Sequence, residues 1–281
     1  MHLKFSHKTV SVLLIFAFIL PVSVSRQSFA SEEAQENASQ EPPKDSLFYR
    51  LKNELHYMVK KPFTMDGADW RNLGVASLAV GGAAIFDKDI RNSFHNRENE
   101  VIKNLEIFGN GLFVGGLFVG FYGLSKITKE ETDKQTFLLG IESLAWSGAI
   151  TSLLKYSTGR QRPSVGDHWF SGGDSFPSGH TATAFAAARV LDYQYFSIAQ
   201  DDPATEKFLK YSAKAGIYSL ASLVGYQRIY SNKHYLSDVI AGAIIGSAIA
   251  NMVINLNKND KQEWGIKPAE RLSGLAMYKE F

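Results

Sequence analysis

Between residues 71 and 256 the chain passes through six long apolar segments, and their length dictates what it can fold into. They run roughly over 71–87, 101–125, 135–157, 179–197, 206–228 and 235–256. Each is far longer than the about five or six residues of an ordinary strand. Alanine, leucine and glycine dominate them, so helix is the expected state. Interior glycines such as Gly81, Gly82, Gly115, Gly116, Gly242 and Gly246 cost helix propensity. Close approach of helix backbones is the compensation expected for them. The expected fold is therefore all-α, a single bundle of about six core helices within residues 47–256. At its start, Leu47, Leu51, Leu55 and Met58 recur at roughly helical spacing. That predicts an amphipathic helix resting on the core, with a membrane surface as the other option.

The two ends read differently. Lys4 and Lys8 precede an apolar run from Val10 to Leu20, and Ser28-Phe29-Ala30 supplies small residues before the acidic Ser31-Glu32-Glu33. This is the pattern of an export signal over 1–30, too short for a membrane span of ~20 residues. An uncleaved anchor is the other reading. Residues 31–46 are polar and carry Pro42-Pro43, as in a flexible leader. Residues 257–281 read as a polar tail broken by Gly265, Pro268 and Gly274.

Composition excludes several functions. The formal charge of +2 over 281 residues is too small for a nucleic-acid binder. Removing 1–30, with Lys4, Lys8 and Arg26, leaves 27 basic against 28 acidic residues, so part of that charge belongs to the signal. Cysteine is absent, which excludes disulfides, thiolate metal sites and lipid attachment through an N-terminal cysteine.

Polar clusters stand at the ends of the apolar segments. Lys155 and Arg162-Pro163 close the third; Gly159 is a natural helix stop, and Pro163 forbids continuation. The two cations can reach one anion, the arginine as a fork and the lysine as a point charge. Phe176-Pro177-Ser178-Gly179-His180 opens the fourth segment. Ser178 can cap that helix, whose free N–H groups form an anion cradle that Gly179 lets a phosphoryl oxygen approach. Arg228 lies near the end of the fifth segment, and His234 and Asp238 share a helix face at i and i+4. Such a carboxylate can accept the imidazole Nδ1–H and leave Nε2 free to attack. Taken singly, these are also explained as a basic helix end, a capped helix and a surface ion pair.

Together, Lys-x6-Arg-Pro, Pro-Ser-Gly-His and Arg-x5-His-x3-Asp resemble the three-part signature of the type 2 phosphatidic acid phosphatase and vanadium haloperoxidase superfamily. The resemblance implies that Lys155, Arg162, Ser178, Gly179 and Arg228 bind phosphate. It implies His234 as nucleophile, Asp238 as its orienting carboxylate and His180 as general acid. The family usually has serine before the third-motif arginine; here stands Gln227, which can still donate to an oxyanion. The implied activity is phosphomonoester hydrolysis through a phosphohistidine, without metal or other cofactor. The substrate is a phosphorylated small molecule or a lipid head group. The alternatives are a vanadate-dependent haloperoxidase and a noncatalytic phosphate- or lipid-binding envelope protein. Asp167, His168, Asp174, His56 and His95 read as solvated, and Trp169 and Phe170 as loop packing.

Location is the last expectation. Arg189 and Asp192 in the fourth segment, and Lys210 and Lys214 in the fifth, make poor spans. If all six segments spanned after an export signal, Lys155 and Arg162 would face the cytosol. Export therefore favours a bundle in the periplasm or on a membrane face, with an integral membrane protein as the alternative.

Overall fold

The computed structural model describes residues 46–94 and 99–263. The described residues form nine α-helices and two 3-10 segments, with no strand among them. The helices are α1 (Leu47–Lys60), α2 (Gly67–Ile85), α3 (Asp87–Phe94), α4 (Glu100–Asn104), α5 (Gly111–Thr128), α6 (Glu131–Thr158), α7 (Gly179–Tyr195), α8 (Ala204–Tyr230) and α9 (Leu236–Glu263). The export signal, the leader and most of the tail lie outside the described residues.

Six of these helices, α2 and α5 to α9, correspond to the six expected segments. The second segment departs from expectation because Asn110 intervenes. Its side chain accepts from the N–H groups of Leu112 and Phe113, so α5 starts at Gly111. Upstream lie only α4 and a 3-10 turn, Leu105–Gly109. Gly109 packs so tightly that a side chain there would strike Val224 and the His180 backbone. At the other end α9 runs beyond residue 256, and Asn257 Nδ2 donates to Glu54 Oε1 at 3.2 Å.

Small residues set the central crossing. A Cβ on Gly242 would collide with the Ser178 carbonyl, and one on Gly246 with the Ala182 carbonyl, so α9 lies directly on α7. Gly81, Gly82 and Gly116 have no neighbour within 4 Å of such a Cβ, so close packing does not explain them. The core between α6, α7 and α9 is fully buried at Leu154, Ala186, Val190, Ile245 and Val253.

The outer surface is strongly apolar. Leu112, Leu117, Val119, Leu124 and Ile127 of α5 are exposed. By length and composition, three helices among the described residues suffice to cross a membrane: Gly111–Thr128, Glu131–Thr158 and Leu236–Lys258. Of the four apolar residues expected to rest on the core, α1 buries only Met58. Arg50, Glu54 and Met58 face inward, while Leu47, Phe48, Leu55 and Val59 face outward. The reason is ionic: Arg50 pairs with the buried Glu142 at 2.5 Å, and Glu54 accepts from Trp146 Nε1 at 2.7 Å.

Candidate active site

Six helix ends meet at one end of the bundle. α2, α6 and α8 finish there, and α5, α7 and α9 begin there.

α6 stops at Gly159, which takes the left-handed conformation at φ 52° and donates its N–H to the Lys155 carbonyl. This is the cap expected of glycine. The chain then folds back across the helix end, with Phe170 N donating to Thr158 O and Gly173 N to Gly159 O. That return carries Asp174 to the first-motif cations. Arg162 grips it with both prongs, Nε to Oδ1 at 2.8 Å and Nη2 to Oδ2 at 2.7 Å. Lys155 Nζ donates to the Asp174 carbonyl. The Arg162 fork holds the Asp174 carboxyl below its ordinary value.

α7 opens with Ser178 as N-cap, its Oγ accepting from Thr181 N and from Thr181 Oγ1. Both contacts use the oxygen as acceptor, so the hydroxyl proton stays available to an anion. Ser178 N donates to the Asp238 carbonyl at 2.9 Å, fastening the start of α7 to the start of α9.

The last turn of α8 carries Arg228, whose carbonyl accepts from Lys233 N and His234 N. This short return places His234 beside Asp238. The Nδ1 to Oδ2 distance is 3.6 Å, within ion-pair range but longer than a hydrogen bond. Arg228 Nη1 meets Glu106 at 2.6 Å. Gln227 is the exception to expectation. Its amide nitrogen donates to Lys103 O and Ser231 Oγ, so it is turned to scaffold contacts rather than to an oxyanion.

Electrostatics tie the clusters together. Burial pushes His234 below the ordinary imidazole value, against the pull of Asp238 and with help from Lys155 and Arg228. Burial also drives His180 down to about 4, assisted by the charge of Arg228 and opposed by Glu106. Both imidazoles are therefore neutral at pH 7.

The sequence reading missed Arg160, although it stands two residues before Arg162. Its side chain is 2% exposed and lies between the rings of Trp169 at 4.5 Å and Tyr235 at 3.9 Å. Nη1 donates to Asp238 Oδ1 and Ser237 Oγ, both at 2.7 Å. Nη2 donates to Asp87 Oδ2 at 2.8 Å and Asp167 Oδ1 at 3.1 Å. Asp167, Asp174 and Trp169 are thus parts of the site's frame, not simply solvated or loop-packing residues. Asp238 Oδ2 accepts from Ser175 Oγ at 2.5 Å and Tyr235 N at 2.9 Å.

Known proteins resemble this chain in sequence and in fold. The family model described as the PAP2 superfamily matches residues 137–262, which span all three motifs. A lipid A 1-phosphatase of Porphyromonas gingivalis is 27% identical over 252 residues, covering 86% of this chain and 48% of the relative. A lipid A 1-phosphatase of Rhizobium johnstonii is 32% identical over 120 residues, 37% of this chain and 41% of the relative. The chain thus spans about half the length of the curated relatives it matches. Among solved structures, a transmembrane PAP2 type phosphatidylglycerolphosphate phosphatase from Bacillus subtilis superposes with a TM-score of 0.50 at 19% identity. The match covers 75% of this chain and 97% of that one. The family match lies over the same residues that build the site, and with the shared helical fold it makes residues 137–262 similar to the PAP2 superfamily.

Proposed function

We propose that this protein is a membrane-associated lipid-phosphate phosphatase that works through a phosphohistidine on His234 and needs no metal. The observation that carries the proposal is the convergence of Lys155, Arg162, Arg228 and the α7 N-terminus around a buried His–Asp pair. Phosphoryl transfer demands mainly positioning and charge stabilisation. Three cations and a helix N-terminus supply both.

In the first step His234 Nε2 attacks phosphorus, with the proton on Nδ1 facing Asp238. The bond from phosphorus to the leaving alkoxide breaks, and His180 supplies the proton that alkoxide takes up. In the second step water attacks phosphorus, His180 accepts its proton, and the N–P bond breaks to release phosphate. Asp238 keeps the tautomer and stabilises the positive charge on His234.

A lipid substrate fits the apolar outer surface of α5 and the names of the lipid A 1-phosphatase relatives. The test uses purified full-length protein and a lipid A 1-phosphate, with an aryl phosphate for comparison. Phosphate release from both is expected, with an acid-labile, alkali-stable phosphoenzyme on rapid quenching. His234→Ala should lower kcat by at least about 10³-fold and abolish the phosphoenzyme. Undiminished turnover in His234→Ala would overturn the mechanism. Release from the aryl phosphate alone would overturn the lipid substrate.

A further inference from the structure

Granted the phosphatase reading of His234, on which this rests, we propose that Arg160 is a positioning residue for catalysis. With Asp87 and Ser237 it fixes the Asp238 carboxylate and sets how much negative charge reaches the His234 imidazole.

Burial between two aromatic rings keeps the Arg160 guanidinium from the substrate, unlike the forks of Arg162 and Arg228. Its hydrogen bond to Asp238 takes Oδ1 and leaves Oδ2 toward His234. Ser237 is clamped as well, its N–H donating to Asp87 Oδ1 at 2.9 Å and its Oγ to Asp87 Oδ2 at 2.6 Å. Asp87, the first residue of α3, thereby fastens both Arg160 and the first turn of α9.

One guanidinium serves three carboxylates, those of Asp87, Asp167 and Asp238. This sharing decides the electrostatics. Were Asp238 the sole partner, Arg160 would neutralise it and weaken its hold on the imidazolium. Asp87 and Asp167 draw part of that positive charge away, so Asp238 keeps its influence on His234. Removing Arg160 and removing an acid partner must then shift His234 in opposite directions.

The other charged groups facing His234 come from different elements and stay constant in the test. They are Lys155 on α6, Arg228 on α8, Asp174 in the loop and His180 on α7. The experiment compares Arg160→Gln, Asp87→Asn and Asp167→Asn in the full-length protein. It reads kcat and KM against pH on an aryl phosphate, and His234 titration by NMR of histidine-labelled protein.

Arg160→Gln should lower kcat about 10–100-fold, the scale expected when an attacking group is displaced by about an ångström. KM should hold within about twofold, because the phosphate ligands remain. The acid limb of kcat/KM and the His234 titration should both move to higher pH. Asp87→Asn should move both to lower pH, and Asp167→Asn should do the same more weakly, since Asp167 is partly solvated. If Arg160→Gln fails to fold, the two acid variants retain the guanidinium and still carry the test. An unmoved His234 titration in Asp87→Asn, or a shift of the same sign in the Arg160 and Asp87 variants, would overturn the proposal. So would a raised KM with unchanged kcat in Arg160→Gln, the mark of a substrate ligand. The NMR titration does not depend on turnover, so failure of the phosphatase reading registers separately, as inactive wild-type protein.

Discussion

His180 and His234 begin from the same neutral state but need opposite ones for chemistry. His234 must be unprotonated to attack, and its lowered pKa keeps it so into mildly acidic solution. His180 must carry a proton, yet burial and Arg228 push it down to about 4. A bound phosphate offsets Arg228 and adds negative charge beside His180, which raises its pKa. The alkaline limb assigned to His180 should therefore lie at higher pH in kcat than in kcat/KM, since the first reports the complex and the second the free enzyme. Coincident limbs in the two profiles would show that phosphate does not recharge His180. The residues of the three motifs were legible in the sequence because each stands at a helix end, where capping and charge have local signatures. Arg160 was not. Its ligands Asp87 and Asp238 lie 73 and 78 residues away, and no spacing rule joins them. Gln227 misled for the same reason, because its partner Lys103 comes from another part of the chain.

At the scale of elements, the α7–α9 crossing governs the site, because Ser178 and Asp238 each begin one of those helices and are joined by a backbone hydrogen bond. A methyl on Gly246 would meet the backbone of Ala182, which cannot rotate away. Gly246→Ala should therefore destabilise the fold by about 1–3 kcal/mol, the usual cost of overpacking, and thermal unfolding of the detergent-solubilised protein measures it. Gly179→Ala meets only Thr151 Oγ1 at 4.0 Å and should unfold near the wild-type temperature. The six core helices were legible from length and composition, and Gly242 and Gly246 were rightly expected at a close crossing. The break at Asn110 was missed because 101–125 was taken as one segment, although Lys103, Asn104 and Glu106 interrupt its apolar pattern. α3 was not anticipated: Asp87 closed the first expected segment and Lys88, Asp89 and Arg91 continue no apolar pattern, although Asp87 is a buried anchor of the site.

For the whole molecule, the balance between a soluble and an embedded bundle turns on α5. Only 17% of its apolar window is buried within the protein. A water-facing helix with Leu112, Leu117, Val119, Leu124 and Ile127 exposed would leave a large apolar patch unpaired. The expectation of a non-spanning bundle rested on the topology of an export signal and on charges in the fourth and fifth segments, and those charges are largely satisfied inside. Lys214 meets Asp192 at 2.9 Å, Lys210 meets Asp202 at 2.8 Å, and Arg189 Nε donates to Asn251 at 2.5 Å. The protein should stay with membranes through alkaline carbonate extraction. Leu117→Lys should reduce membrane insertion by about 2.5–3.5 kcal/mol, the cost of a lysine at a helix centre, and a shift of the protein into the soluble fraction reads it out.

Arg162 and Arg228 do not wait bare for an anion, since Asp174 and Glu106 already sit on them. Both acids are at the rim, 61% and 50% exposed, and can swing into water when a stronger anion arrives. They act as resident competitors, and competition runs both ways. The carboxylates that yield to the ester help to evict inorganic phosphate once the ester is cut. Asp174→Asn and Glu106→Gln should each tighten product inhibition by phosphate several-fold, read as a lower inhibition constant. Affinity for the anion would rise while the rate of renewal of the site would fall.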